Sequence, residues 1–437
     1  LLIFLTAVLG VIVVLASWRY AKQREMGFFI ALLLLQVGMV GVFCATDLVL
    51  FYVFWEAMLV PMYFIIGIWG GPRRIYAAIK FFLFTLVGSL LMLVAIIVSV
   101  YYVRDASGVL TFNIQELGAQ VYPYHLQFWA FLAFFLAFAI KVPMFPVHTW
   151  LPDAHVEAPM AGSVILAGVL LKMGGYGMLR FCLPFYPDAA ITFAPYVIVL
   201  SIIAIVYGAL VSLVQKDLKK LVASSSVSRM GFVTAGIFAS IAVAGNAIGM
   251  EGAILVMFNH GILTGALFLM VGFLYERTRT REIANMAMLA TPMPVTAAFL
   301  LFFALGSLGL PGLNGFVGEF LSLLGLFRYS EWMTAVAALG VILAAAYLLW
   351  MFQRVMFNDR GVEHVAPAGP LADLQLREIV SLLPLLVLAV WAGIYPNTFL
   401  AYLHVPVREL MDQVMPALES SRDNGLASVL LAVREHL

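Results

Sequence analysis

The sequence predicts an all-α polytopic membrane protein, and three observations predict it. Hydrophobic residues make up 64% of the 437 positions and charged residues 11%, where a soluble domain carries about 25% charged. The apolar residues come in runs of the length, about 20, that spans the ~30 Å hydrocarbon core of a bilayer. The basic residues between those runs are sorted by side. A membrane β-barrel would instead alternate in segments of about ten, and no such segments occur.

Twelve crossings are expected. The first run, 1–18, stops at Arg19, Lys22 and Arg24. Runs 27–45 and 47–69 are parted by Thr46 and Asp47, with Asp47 placed as a helix N-cap. Arg73 and Arg74 precede the run 77–103, and Pro143 and Pro146 interrupt 127–147. The glycine-rich 160–186 and then 190–214, 219–240 and 250–274 follow. The run 293–328 is too long for one straight helix. Gly309, Pro311, Gly312 and Gly315 divide it into two half-helices. The runs 333–357 and 378–400 complete the count.

With twelve crossings, alternate loops share a side. One set holds Arg19, Lys22, Arg24, Arg73, Arg74, Lys216, Lys219, Lys220, Arg277, Arg279, Arg281, Arg354, Arg360 and Arg377. The other holds Arg104, Arg180 and Arg328. That bias places the first set on the cytoplasmic side or its equivalent, and the tail from 401 on the opposite side.

Composition also excludes classes. A formal net charge of +1 gives no reason to expect nucleic acid. Two cysteines, Cys44 and Cys182, fall short of the four thiolates of an iron–sulfur cluster. No haem-attachment or nucleotide-binding motif is present.

Five charges fall in the membrane interior: Glu56, Lys141, Lys172, Arg229 and Glu319. Each costs about 2.5–3.5 kcal/mol at a helix centre. His260 joins them as a group that changes charge near neutral pH. Pro61 leaves the carbonyl of Ala57 free beside Glu56, and Pro143 and Pro146 leave those of Ala139 and Val142 free around Lys141. Gly168 and Gly175 flank Lys172 by one turn and admit a neighbouring helix. Glu319 follows the break at 311–315, at the positive end of a half-helix dipole. Any one of these charges could instead be a structural ion pair. Arg229 could snorkel at the interface, and for Lys219 snorkelling is the favoured reading. His260 alone divides evenly between packing and function. The recurrence of acids and bases, two of them beside broken helices, favours function.

The breaks fall in corresponding places. Counting five crossings from 27 and five from 190, the fourth of each is broken, which suggests an inverted repeat. The chain is accordingly divided into 1–26, a first repeat 27–189, a second repeat 190–377, and a last helix with its tail, 378–437.

DLVLFYVFWEAMLVPMYFIIGIWG, FAIKVPMFPVHTWLPDAHVEAPMAGSVILAGVLLKMGGYGMLRF and LGLPGLNGFVGEF are long and specific. Through them, over essentially the whole chain, the sequence resembles the antiporter-like M subunits of respiratory NADH:quinone oxidoreductase, complex I, called subunit 4 in mitochondria. The resemblance implies fourteen helices in two inverted five-helix repeats, of which this chain would begin at the third. It implies a proton relay of Glu56, Lys141, Lys172, His260 and Glu319, with Arg229 and His148 as further candidates. Where the family reads S-H-M-G, this chain has Ser228, Arg229, Met230 and Gly231. An arginine cannot release a proton as a histidine would.

The resemblance further implies a non-redox subunit of a translocase in the bacterial plasma membrane or mitochondrial inner membrane. No cofactor would be bound by this chain; NADH, FMN, iron–sulfur clusters and quinone belong to other subunits. Its partners would be the lipid bilayer and the other membrane-arm subunits, neighbouring antiporter-like subunits among them, with no nucleic acid. Protons would load Lys172 from the cytoplasmic side and pass by His260 to Glu319, with the Glu56–Lys141 distance governing how tightly the lysine holds its proton. Three alternatives stay open: a subunit of an Mrp-type cation/proton antiporter, the matching subunit of a membrane-bound hydrogenase or photosynthetic relative, and a passive scaffold whose charges only pair.

Overall fold

A computed structural model of the chain describes residues 1–18, 24–286, 288–358 and 371–423. Arg19, Lys22 and Arg360 of the charge argument lie outside the described residues. The described residues contain 10 helices long and apolar enough to cross a membrane. Two shorter apolar helices, Leu2–Ala16 and Pro294–Ser307, stand where the other two crossings were expected.

The helices follow in order as α1 (Leu2–Ala16), α2 (Glu25–Cys44), α3 (Leu48–Ala57), α4 (Leu59–Trp69), α5 (Arg74–Ser107), the short α6 (Ile114–Gly118), α7 (Tyr124–Lys141) and α8 (Trp150–Glu157). Next come α9 (Met160–Phe185), α10 (Pro187–Leu213), α11 (Leu218–Ala242) and α12 (Ala247–Thr278). Then follow α13 (Pro294–Ser307), α14 (Asn314–Tyr329), α15 (Glu331–Met356), α16 (Leu376–Ile394) and α17 (Asn397–Asp423). Helices α3 and α4 form one crossing bent at Met58, three residues before Pro61, which has no N–H for the helical ladder. Both expected breaks are present, one between α7 and α8 and one between α13 and α14.

The inverted relation between the two halves shows in their loops. Leu48 N–H donates to the Phe112 carbonyl at 2.9 Å, and Ile114 N–H to that of Thr46 at 3.0 Å. Leu218 N–H donates to the Arg281 carbonyl at 2.8 Å, and Ile283 N–H to that of Lys216 at 2.8 Å. Each bridge ties the start of a half's second crossing to the loop after its third. Asp47 caps α3 through the amides of Val49 and Leu50, and Asp217 caps α11 through that of Lys220. By the crossing count the first bridge lies opposite the basic loops and the second lies among them.

Helices α11 and α12 fill the centre of the bundle and have almost no lipid-facing surface. The outer helices α2, α4, α5 and α15 keep exposed rows of leucine, valine and isoleucine, such as Leu33, Val37, Val87 and Ile342. The expected crossing 378–400 ends earlier, at Ile394, because Tyr395 leaves helical geometry ahead of Pro396. The chain then forms α17. Phe399, Leu403, Val407, Met411 and Val414 recur on one buried face of it. Its Gln413 donates to the Gly118 carbonyl at 2.8 Å, and His404 meets Glu251 at 2.7 Å. That end of the bundle is the one opposite the basic loops, where the tail was expected.

Candidate functional site: a buried row of charges

The first pair sits where α3 meets α7. Lys141 is the last residue of α7, so its ammonium stands at the negative end of that half-helix dipole. It is 1% exposed, and its Nζ lies 5.1 Å from the Trp55 ring and 5.6 Å from the Phe81 ring. Nζ has no hydrogen-bond partner among the described residues, and neither has Oε1 of Glu56. The two charges nevertheless act on each other electrostatically, and Glu56 also faces Tyr52. The carbonyls around Lys141 differ from expectation. Ala139 is not left free, because the chain turns after Lys141 and the Met144 amide reaches back to it at 2.8 Å. The Trp150 indole caps the Ile140 carbonyl at 2.9 Å.

The second contact joins the two halves. Lys172 and His260, wholly buried on α9 and α12, meet with Nζ 2.6 Å from Nδ1. Lys172 also donates to the Ala167 carbonyl. Helix α9 carries π-helical turns at Leu166–Leu170 and Met178–Cys182, and such turns leave helix carbonyls open to side chains. The crossing is close because it is lined by glycine. A Cβ on Gly261 would stand 2.8 Å from the Gly168 carbonyl, and one on Gly168 would collide with the Leu9 side chain. No feature of the sequence announces the π turns, although the glycines pointed to a close neighbour.

The third pair is a direct ion pair. Arg229 on α11 and Glu319 on α14 meet at 2.8 Å with both side chains buried. Arg229 does not snorkel, because α11 has no lipid face. Glu319 lies in the second turn of α14, near the positive dipole end. Gly309, in the break with φ +83°, passes so close that a Cβ there would stand 3.1 Å from the Glu319 carboxylate. Tyr347 of α15 is buried beside Arg229 and Glu319.

Between the second and third contacts lie Asn259 and Asn314. Asn259 donates to the Asn314 carbonyl at 2.6 Å and accepts from the Asn314 amide at 3.2 Å. Nε2 of His260, Oγ of Ser307 and Oδ1 of Asn314 are buried without a partner among the described residues. The role of Asn314 was missed from sequence, where an asparagine after a broken turn reads only as turn chemistry. His148 lies in the first break, stacked on Phe145 at 5.8 Å and beside Tyr207, and lines a cavity of about 250 Å³. Lys219 corrects the sequence reading. It is buried and donates to the Ala158 carbonyl at 2.5 Å, because the start of α11 is enclosed by α8. His155 on α8, also unremarked in the sequence, is wholly buried.

A family model described as NADH:quinone oxidoreductase/Mrp antiporter, TM, matches residues 45–344. The chain is 48% identical over 405 residues to NADH-quinone oxidoreductase subunit M of Rhodobacter capsulatus, covering 91% of this chain and 77% of that one. It is 44% identical over 413 residues to NADH-ubiquinone oxidoreductase chain 4 of Chondrus crispus, covering 94% and 81%. Among solved structures it is similar to a chain of respiratory complex I from Thermus thermophilus with bound NADH. The TM-score there is 0.84 at 36% identity, covering 95% of this chain and 84% of that one.

Proposed function

The chain belongs to the NADH:quinone oxidoreductase/Mrp antiporter transmembrane family, and from that premise we propose that it is the proton-translocating M-type subunit of a complex I. It is a multi-pass membrane protein, and its bacterial relatives place it in the plasma membrane. Redox chemistry belongs to other subunits, since Cys44 and Cys182 are too few for a thiolate-held cluster. The partners are the other subunits of the membrane arm. What this chain supplies is a path for charge.

The observation that carries this reading is the buried Lys172–His260 contact at 2.6 Å, which links a group of the first half to one of the second. A proton on Lys172 passes to His260. Water bridging its Nε2, Ser307 and the Asn259–Asn314 pair carries it on to Glu319. The Glu56–Lys141 pair sets the charge next to this row. A carboxylate close to Lys141 favours its ammonium, and withdrawal favours release. The far-side step is release from Glu319: the carboxylate takes a proton when drawn away from Arg229, and renewed pairing with that cation favours its release. A passive scaffold would have its buried charges fully paired. Here the Lys141 Nζ and one Glu56 oxygen have no hydrogen bond among the described residues. The high identity to M subunits favours complex I over an Mrp antiporter.

Lys172→Met, close in volume and unable to carry a proton, tests the path. In inverted membrane vesicles it should lower protons pumped per NADH oxidised by roughly tenfold or more, with the complex still assembled. Pumping at the parent level in an assembled Lys172→Met complex would remove the path.

A further inference from the structure

Resting on the path just described, we propose that His155 is the relay that brings protons from a cavity at the basic-loop end of the bundle to Lys172. The cavity, about 190 Å³, is lined by Gly71, Glu157, Ala158, Lys219, Phe268 and Arg281 among others. At ~30 Å³ per molecule it has room for several waters. Its polar lining is fixed in place. The Glu157 carboxylate accepts from the Arg73 amide at 2.9 Å, and Lys219 donates to the Ala158 carbonyl at 2.5 Å.

His155 lies behind one wall of that cavity. Its ring stacks on Phe268 at 4.6 Å with an interplanar angle of 2°. It is wholly buried, and both ring nitrogens lack a partner among the described residues. Lys219 of α11 acts on it from the cavity and Lys172 of α9 from the interior, and His260 of α12 is within electrostatic reach as well. A ring needed only for stacking would be better as phenylalanine, because each buried polar atom without a partner is destabilising. What a phenylalanine lacks is one nitrogen that accepts a proton and another that gives one.

The transfer balances without any co-reactant. The bare ring nitrogen takes a proton from cavity water and forms an N–H bond, and that water regains a proton from the solution on the basic-loop side. The N–H bond at the other nitrogen breaks, and that proton goes to the Lys172 amine once Lys172 has given its own to His260. The imidazole is left neutral in its other tautomer, and a ring flip restores the first. His148, beside its own cavity of about 250 Å³ with Asp153, Lys220 and Ser224, is the competing route.

The test uses the whole complex in inverted vesicles, whose outer face is the basic-loop side. His155→Phe keeps the stack on Phe268 and should still assemble, with protons pumped per NADH falling roughly tenfold or more. His155→Ala should lose pumping likewise and regain it when imidazole is added outside, a rescue that a merely structural role would not show. Parent-level pumping in His155→Phe overturns the proposal. So does an assembled His155→Ala complex that imidazole fails to restore, or a loss that follows His148→Phe and spares His155→Phe. If Lys172→Met stops pumping and His155→Phe does not, this inference alone falls. If neither variant changes pumping, the path itself falls with it.

Discussion

The two halves of the molecule hold their buried charges in opposite ways. In the first, Glu56 is on the half's second crossing and Lys141 on its broken one; in the second, Arg229 is on the second crossing and Glu319 on the broken one. Acid and base have changed places. Lys141 stands over two aromatic rings with no hydrogen bond to Nζ among the described residues, while Arg229 and Glu319 are closed at 2.8 Å. Each charge on a broken crossing suits its end of a half-helix, a cation at the C-terminus of α7 and an anion near the N-terminus of α14. The bases differ in kind. A lysine amine gives up its proton when desolvated, and a guanidinium does not. The difference puts a base that can lose its proton in the first half and one that cannot in the second.

The strongest way to break that contrast is Glu56→Gln. It removes the charge that holds the Lys141 proton, and NADH-driven pumping should fall tenfold or more while the complex still assembles. Pumping at the parent level would take Glu56 out of the mechanism and leave the first half with nothing that varies.

The closed pair is read by stability. Arg229→Gln leaves the Glu319 carboxylate buried without its cation, at a cost of about 3–5 kcal/mol. The yield and Tm of the purified complex should drop accordingly. The double change to Arg229→Gln and Glu319→Gln should regain most of that loss. Equal losses in the single and double variants would mean that the two side chains are not coupled.

The smallest effect concerns the anchor of the second broken helix. Asp373 accepts from the amides of Val295 and Thr296 at 2.7 and 2.9 Å, at the start of α13. Burial alone would raise its carboxyl, but hydrogen bonds from the Thr296 hydroxyl and the amides of Val295, Leu374 and Thr296 hold it below its ordinary value. A group so lowered contributes stability above its unfolded pKa, about 3.9, and loses it as pH falls through the folded value. Asp373→Asn should therefore lower stability at neutral pH, read as a lower Tm, by the worth of a negative charge at a helix N-terminus, about 0.3–1 kcal/mol. The difference from the parent should vanish in acid. A constant difference at every pH would assign the effect to packing.

Much of this was legible in advance because the bilayer imposes simple rules. Run length and basic loops yielded the crossings, and the prolines and glycines of 143–146 and 309–315 yielded both breaks. Helix α17 was not read, because Tyr395 and Pro396 sit inside an apolar run that continues past them. The relay candidates were recognisable one at a time, since a charge in an apolar run stands out. His155 and Asn314 were not, because they sit in loop-like stretches where polar residues are ordinary.

The sequence by itself determined which residues are costly in lipid, and so which needed an explanation. That follows from composition along a single helix, for which hydrophobic burial is a local property. Only the tertiary structure decided the partners: Lys172 with His260 across 88 residues, and Arg229 with Glu319 across 90. Those pairings depend on how closely helices approach and on which carbonyls a π turn opens, and neither is set by any residue alone.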